Sequence, residues 1–277
     1  MNEKNNLDQF YTNKNVALKC LNTFNNFMNE NKYTYHYILE PSAGTGSFFN
    51  LIEHDKRIGI DIEPKCDGVE KMNYFDFKPK NDGSIYVVIG NPPFGKISSQ
   101  AIRFFNKSAE FANIIAFILP RTFKRVSVQN KLDPNFFIMY NEDLPLSPCC
   151  FTPKMNAKCC FQIWKRMDNP REKVVFQKTH KDFDFLPHGS NDSSGQPTPP
   201  IGADFVVKAY GSNCGNIIDN DLINLRPKSW HWIKANIDIE LLKKRILSLD
   251  YSLSKDTVRQ DSLGRQELIY LYSLIYN

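Results

Sequence analysis

The sequence predicts a doubly wound α/β domain built on a mostly parallel sheet. Apolar runs such as "SIYVVIG" and "NIIAFILP" lack the polar alternation of a strand with one exposed face. Helical patterns alternate with these runs along the first two thirds of the chain. Strands that are apolar on both faces must be covered on both faces, so a parallel sheet with helices on each side is expected.

The elements can be placed in order along the chain. Residues 13–30 have apolar side chains three and four positions apart, which predicts an amphipathic helix. "YHYILEP" predicts a strand that ends in the turn "SAGTGS", and "FFNLIEH" after it predicts a helix. "RIGIDIE", "VEKMNYFDF" and "SIYVVIG" predict three further strands. "SSQAIRFFNKSAEF" then predicts a helix, and "NIIAFILP", "NFFIMYNEDLP" and "CCFQIWKRM" predict the remaining strands.

Three regions follow from this order. Residues 1–170 are expected to form the main domain. Residues 171–202 include "PHGSNDSSGQPTPPIG" and are expected to be a flexible linker or loop, since turn-forming residues dominate there. Residues 203–277 contain two strand-like and two helical stretches, which predicts a small α+β addition that serves target recognition or packs on the main domain.

Composition and charge exclude several classes of protein. The 277 residues are 42% hydrophobic and 23% charged, which is typical of a globular protein. The net charge of +5 permits a polyanionic partner without requiring one. No apolar run approaches the ~20 residues of a membrane span, and no signal peptide is evident, so a soluble intracellular protein is expected. The seven cysteines lack zinc-ligand spacing, so no metal site is expected.

Polar and glycine residues occur at successive predicted strand ends, where doubly wound sheets bind ligands. Gly44 and Gly46 allow the backbone to approach a ligand closely. Asp61 could accept hydrogen bonds from ribose hydroxyls, and Asp76 from an adenine amino group beside Phe77. Each residue alone also fits an ordinary turn or solvated strand end. Their order indicates a ligand that contains adenosine.

The fourth strand end carries "NPPF", residues 91–94. Pro92 and Pro93 have no backbone donors, so the carbonyls near Asn91 and Pro92 remain unpaired acceptors. The Asn91 side chain adds an oxygen, and Phe94 adds an aromatic face. Two acceptors beside a flat ring suit a planar substrate with an exocyclic amino group. When both N–H groups of that amino group donate hydrogen bonds, the lone pair of its nitrogen becomes available for attack. A simple turn would account for one proline but not for this combination.

These motifs resemble those of the AdoMet-dependent adenine-N6 DNA methyltransferases, over roughly residues 9–166. "EPSAGTGSF" looks like the first AdoMet motif, "NPPF" like the catalytic motif, and "DQFYT" like the upstream motif that closes over AdoMet. The motif order resembles the gamma arrangement. It implies a Rossmann-like class I methyltransferase fold with strand order 3-2-1-4-5-7-6 and an antiparallel seventh strand. The implied reaction is methylation of adenine N6 in DNA. Methylation of RNA adenine or protein glutamine, or an inactive binding module, remain alternatives.

The resemblance also implies roles for individual residues. The implied cofactor-binding residues are Phe10, Tyr11, Thr12, Glu40, Ser42, Ala43, Gly44, Gly46, Asp61, Ile62, Asp76 and Phe77. Asn91, Pro92, Pro93 and Phe94 would hold the target base. Phe151, with Phe161 in reserve, could stack on an extruded base, the alternative being packing within its loop. Arg121, Lys124 and Arg125 could contact phosphates or form a solvated cluster. A protein partner could supply target specificity.

Overall fold

The computed structural model describes residues 10–276 and divides the chain between Lys173 and Val174 into two compact units. The elements of the first unit are β1 (Tyr11–Thr12), α1 (Lys14–Glu30), β2 (Tyr37–Pro41), β3 (Arg57–Asp61), β4 (Glu70–Lys71), β5 (Tyr86–Gly90), α2 (Ser99–Ala109), β6 (Ala112–Pro120), α3 (Val126–Gln129), β7 (Phe136–Asp143), β8 (Phe151–Thr152) and β9 (Cys159–Arg166). Within residues 10–276 no helix is long and apolar enough to span a membrane.

Seven of these strands form one sheet in the order β4-β3-β2-β5-β6-β9-β7. Strands β2 to β6 are mutually parallel, and β9 runs antiparallel to both β6 and β7. Numbered within this sheet alone, the order is 3-2-1-4-5-7-6 with an antiparallel last strand, so the predicted fold class is confirmed. The chain passes from β2 to β3 on one side and returns to β5 on the other, which makes the β2/β5 edge the topological switch point.

The core of this unit includes the residues packed between α2 and the sheet. Helix α2 buries Ala101, Phe105 and Ala109, four residues apart, against the sheet. The Phe105 ring meets the buried Trp164 ring of β9 edge to face, with 5.1 Å between centroids. Rings of this size each bury roughly 150–250 Å². The loops at the ends of β5 and β6 therefore stand on tightly packed elements.

The helix predicted for "FFNLIEH" is wrong, because the structure has only a short 3-10 turn at Phe49–Leu51. The Phe49 amide donates to the buried Glu40 carboxylate at 2.6 Å. The Phe49 carbonyl accepts a hydrogen bond from the Arg57 guanidinium at 3.2 Å. In a continuing helix that carbonyl would instead accept from the amide four residues later. Both backbone groups of Phe49 are thus used by tertiary contacts, and the local helical pattern is overridden.

The strand predicted for "VEKMNYFDF" is also shorter than expected, since only Glu70–Lys71 pairs with β3. The Asn73 side chain ends the strand by accepting a hydrogen bond from the Phe75 amide at 3.1 Å. Residues Tyr74–Asp76 then form a 3-10 turn. Asp76 consequently lies on a turn beyond the sheet rather than at a strand end.

The second unit contains β10 (Phe183–Phe185), β11 (Phe205–Lys208), β12 (Ile217–Ile218), β13 (Trp230–Ala235), α4 (Ile239–Leu247) and α5 (Arg265–Ser273). Its antiparallel sheet has the order β10-β13-β11-β12. Strand β10 lies within residues 171–202, which the sequence indicated as a linker. Residues 174–277 carry 12 Lys+Arg and 12 Asp+Glu, so the formal net charge of +5 comes from residues 1–173.

Candidate active site

The parallel strands bring three loops to one edge of the sheet. Strands β2, β3 and β5 end at Pro41, Asp61 and Gly90. Gly90 has φ +152°, and a Cβ atom there would lie 3.2 Å from Cγ of Glu40. Only glycine adopts this backbone conformation readily. Gly90 therefore lets β5 approach the end of β2 closely, and the residue after it, Asn91, starts the third of these loops.

The glycine turn after β2 is packed on both sides. Gly44 has φ +51°, and a Cβ atom there would lie 2.8 Å from the Tyr11 ring. Gly46 has φ +75°, and a Cβ atom there would lie 2.6 Å from Sγ of Cys66. The turn is thus a close-fitting backbone cradle, in which a larger residue at either glycine would displace a neighbour.

Asp61 fixes this cradle to the end of β3. Its Oδ2 accepts a hydrogen bond from the Gly44 amide at 2.8 Å, and its Oδ1 accepts one from the Glu63 amide at 2.7 Å. A carboxylate offers about four lone-pair positions, so about two remain for a ligand. The adjacent Ile62 is 50% exposed and places an apolar surface at the same strand end.

A short N-terminal segment, Phe10–Thr12, connects several loops, and we call it the strap. Its strand β1 pairs antiparallel with β8, which comes between β7 and β9 along the chain. The Thr12 carbonyl accepts a hydrogen bond from the Ser47 hydroxyl at 2.7 Å. The Phe10 carbonyl accepts one from Asn91 Nδ2 at 3.1 Å. The strap therefore joins the glycine turn, the "NPPF" loop and the β7–β9 connection.

The strap also sets the orientation of the Asn91 amide. Because Nδ2 donates to the Phe10 carbonyl, the opposite atom, Oδ1, is the acceptor that remains. Asn91 Oδ1 is buried and has no hydrogen-bond partner. Leaving such an atom unpaired costs roughly 1–3 kcal/mol, so a ligand that donates to it gains that stabilisation. Pro92, which follows, is buried and has no backbone donor.

Phe94 anchors the other end of the "NPPF" loop. Its carbonyl accepts from the amides of Gln100 and Ala101 at 3.1 and 3.3 Å, at the start of α2. Its ring is partly buried and packs on the main core. The loop is thus held at Asn91 by the strap and at Phe94 by α2, with Pro92 and Pro93 between.

The Phe77 ring does not lie at this site, and Asp76 lies on a turn rather than at a strand end. The Phe77 ring packs against Tyr86 and Phe111, with centroids 6.3 and 5.4 Å away. Those residues stand where β5 and β6 begin, which is the opposite end of the strands from Asn91. Asp76 is exposed on its 3-10 turn.

Both aromatic residues suggested for base stacking are buried. Phe151 lies in β8 opposite Thr12 of the strap and is 4% exposed. Phe161 lies in the middle of the sheet on β9 and is 1% exposed. Neither presents a ring face to solvent in this conformation. The burial of Phe151 agrees with a packing role in its loop.

The basic group after β6 is engaged with an acidic residue. Lys124 Nζ lies 2.7 Å from Oδ1 of Asp143, and Arg121 Nε lies 3.4 Å from the same oxygen. Arg125 follows the 3-10 turn, and its amide donates to the Thr122 carbonyl at 3.0 Å. Because β6 is parallel to β5, this turn lies at the same sheet edge as Asn91. Contact with a phosphate would require Arg121 and Lys124 to exchange Asp143 for it.

Glu40 is the most deeply buried acidic group of the site, at 3% exposure. Burial raises the pKa of this carboxyl well above its ordinary value. Hydrogen bonds from the amides of Phe48 and Phe49 act in the opposite direction, and nearby Asp61 adds to the rise. In this structure Glu40 holds the turn after β2.

A cavity of about 430 Å³ adjoins the strap and the glycine turn. It falls in the size range of small-molecule sites. Its lining residues are Tyr11, Thr12, Asn13, Lys14, Thr45, Gly46, Ser47, Asn50, Leu51 and Thr152. Thr12 Oγ1 is buried without a hydrogen-bond partner. Seven of the ten were not predicted from the sequence: six of them lie in or near the "FYT" and "GTG" motifs, and Thr152 directly follows Phe151.

The described part of the chain, residues 10–276, contains no group of three or more His, Cys, Asp or Glu residues placed to hold a metal ion. The seven cysteines are present as thiols. Burial raises the pKa of Cys20 and of Cys159 to about 12. Neither of these two buried thiols is therefore poised to ionise near neutral pH.

No family model matches the sequence, and no curated protein matches it. Solved structures similar to the chain include a Pyrococcus horikoshii protein assigned as an RNA methyltransferase, with 18% identity and a TM-score of 0.42, covering 58% of this chain and 88% of that chain. The 23S rRNA methyltransferase ErmE has 13% identity and a TM-score of 0.38, and the match covers 59% of this chain and 72% of that chain. A type I restriction-modification methyltransferase subunit from Streptococcus thermophilus has 14% identity and a TM-score of 0.40, and the match covers 57% of this chain and 45% of that chain.

Proposed function

We propose that the protein transfers a methyl group from AdoMet to the N6 amino group of adenine in DNA. One observation carries the proposal: Asn91 Oδ1 is a buried acceptor without a partner, and its orientation is set by the Phe10 carbonyl. The residue after it is a proline that cannot donate. We propose the Pro92 carbonyl as a second acceptor, and two acceptors with no donor between them select an amino group as their ligand.

The residues at the carboxyl edge fit AdoMet. The cradle at Gly44 and Gly46 allows the backbone to approach the ligand, and Asp61 keeps lone pairs for the ribose hydroxyls. Ile62 offers an apolar surface for the base, in place of Phe77, and Asp76 remains the proposed acceptor from the adenine amino group. Bound AdoMet supplies a methyl group on a positively charged sulfur.

The cavity beside the strap is proposed to take the polar methionine end of AdoMet. Lys14 is a cation at its rim, and the hydroxyls of Thr45 and Ser47 line it. Thr12 Oγ1 is a further unpaired polar atom in its wall. Ser42, Ala43 and the buried Glu40 shape the turn above, Glu40 by binding the Phe49 amide.

Asn91 Oδ1 and the Pro92 carbonyl act on the target by accepting hydrogen bonds from the two N–H groups of its amino group. This favours a pyramidal nitrogen whose lone pair can attack, so no strong base is required. With AdoMet bound, its methyl carbon would be the electrophile for this lone pair, while Asn91 Oδ1 and the Pro92 carbonyl hold the amino group and the N–H proton that it loses passes to water. Pro93 stiffens the loop, and Phe94 forms the platform below the ring.

DNA is favoured over RNA and protein glutamine because the strap, which resembles the upstream motif of the DNA enzymes, is structurally part of this site. The excess positive charge of residues 1–173 suits a polyanion. Arg121, Lys124 and Arg125 are the proposed phosphate contacts. A protein partner that supplies target specificity is proposed because residues 174–277 carry no net charge.

The test is methyl transfer from labelled AdoMet to duplex DNA, single-stranded DNA, RNA and protein extract, followed by base-resolution mapping of the labelled polymer. We expect label in N6-methyladenine of DNA, and loss of that label with Asn91→Ala. Asn26→Ala, which removes an exposed amide of α1, is the matched control and should leave transfer unchanged. Label found only in RNA or glutamine would contradict the DNA assignment. Failure to bind AdoMet would favour an inactive binding module.

A further inference from the structure

The turn directly after the "NPPF" loop, Gly95–Ser98, has an unusual backbone. Gly95, Ile97 and Ser98 have φ values of +66°, +54° and +60°. Among residues 10–276, Ile97 is the only β-branched residue with a positive φ. Branching at Cβ makes this left-handed conformation especially unfavourable. The surroundings of the turn therefore hold Ile97 against its local preference.

Contacts at both ends fix the turn. Before it, the Phe94 carbonyl is bound by the first amides of α2. At Gly95 a Cβ atom would lie 2.7 Å from Cγ of Gln100, so the backbone packs directly on the helix. After the turn, Ser98 is buried, and its hydroxyl is 3.0 Å from that of Thr122. The turn is thus a rigid projection rather than a loose loop.

The projection carries an apolar side chain into solvent. Ile97 is 81% exposed, and Lys96 beside it is also exposed. Ile97 lies six residues after Asn91, on the loop that holds the proposed substrate acceptor. Phe151 and Phe161, which the sequence indicated for base stacking, are buried. Ile97 therefore presents to a ligand the apolar contact that these aromatic residues do not present.

We propose that Ile97 is a wedge that enters the base stack beside the target adenine, with Lys96 placed toward a phosphate. The substrate is accordingly double-stranded DNA from which the adenine is extruded. This inference rests on the proposed function and deepens it. Extruding a paired base requires unstacking, and proteins that unstack bases commonly insert an apolar side chain between them. A side chain held outward by a rigid turn inserts without first being ordered.

The test uses a short duplex around a methylated adenine located by the base-resolution mapping. A second duplex carries an abasic position opposite the same adenine, where extrusion needs less unpairing. Ile97→Asn removes the apolar surface but suits the left-handed backbone, so folding is preserved. Ile97→Leu keeps an apolar side chain. Leu18→Asn, on the exposed face of α1, is the matched control.

We expect Ile97→Asn to lower the single-turnover rate at least about tenfold on the paired duplex and less than about threefold on the abasic duplex. The single-turnover rates of Ile97→Leu and Leu18→Asn should remain near that of the unsubstituted protein on both duplexes. With 2-aminopurine at the target position, binding should raise fluorescence for the unchanged protein and much less for Ile97→Asn.

Equal losses on the two duplexes, or no loss on the paired one, would overturn the wedge. The fluorescence signal, which does not depend on methyl transfer, would then be the same for both proteins. If the unchanged protein methylates no DNA adenine, the proposed function fails instead, and the two failures are distinguished before any Ile97 variant is made.

Discussion

Replacing Asn91 by Asp or by Ala separates the two atoms of its side-chain amide. Asn91 Nδ2 donates to the Phe10 carbonyl at 3.1 Å, and Oδ1 is the unpaired atom that we propose as the acceptor for the substrate. Asp keeps an acceptor at Oδ1 but replaces the donor with an oxygen that faces the Phe10 carbonyl. Ala removes both atoms. The first substitution tests orientation by the strap, and the second tests the acceptor itself.

The expected losses follow from these contacts. The Asp variant loses one hydrogen bond and leaves a partly buried carbonyl unpaired, which together cost about 2 kcal/mol. If this cost is borne in the transition state, the rate falls about thirtyfold. The Ala variant loses the proposed acceptor for the charge that develops on the amino group, and such a loss corresponds to a fall of about 10²–10³ in rate. The rates should therefore rank Asn above Asp above Ala at position 91.

Single-turnover transfer of labelled methyl groups to adenine-containing DNA measures this ranking without interference from product release. AdoMet affinity by calorimetry is the companion measurement, and it should change by less than about tenfold, since Asn91 contributes one hydrogen bond to the strap. An Ala variant within about threefold of the original rate would refute the acceptor role. An Asp variant with a lower rate than the Ala variant would refute the role proposed for Asn91 Oδ1.

Three further predictions concern the cradle, its carboxylate and the second unit. Gly44→Ala should weaken AdoMet binding, measured by calorimetry, at least about tenfold, because its Cβ atom would meet the Tyr11 ring. Gly83→Ala controls for backbone strain, since Gly83 has φ +77° and a Cβ atom there would have nothing within 4 Å. Asp61→Ala should also weaken AdoMet binding about tenfold, and an unaltered dissociation constant would count against its assignment. Burial lowers the pKa of His231 from 6.5 to about 4. The unfolded chain therefore binds a proton that the native chain does not, and stability should fall by about 3 kcal/mol between pH 6.5 and about pH 4. Urea unfolding of the His231→Gln variant should show less of this loss.

The strands of the main sheet could be predicted because their signals are local, whereas their order in the sheet was implied by the resemblance to the methyltransferase family. Buried parallel strands are continuous apolar runs, and each run here ends in a glycine, acidic or proline-rich tip. The same tips located Gly44, Asp61 and Asn91, which the structure places at one sheet edge. Sequence motifs thus marked the residues whose backbone conformation or polar atoms matter at each loop.

The remaining features depend on contacts that no local pattern encodes. The helix after Phe48 is lost because Glu40 and Arg57 bind the backbone of Phe49 from elsewhere in the fold. Phe151 is buried because β8 pairs with the strap, and two-residue strands have no periodicity to detect. Strand β10 was missed for a related reason, since three residues within a turn-rich stretch are too few to show alternation.

The pairing of the strap with β8 has a consequence for biosynthesis. The Thr152 hydroxyl donates to the Asn13 side chain, and the two residues are 139 positions apart. At ribosomal rates of about 5–20 residues per second, roughly 7 to 30 s separate the synthesis of the two strands. The glycine turn and Asn91 are therefore made well before β8, the pairing partner of the strap, exists. A nascent chain should acquire cofactor affinity only after Thr152 has emerged, so AdoMet binding would report that the strap and β8 have paired.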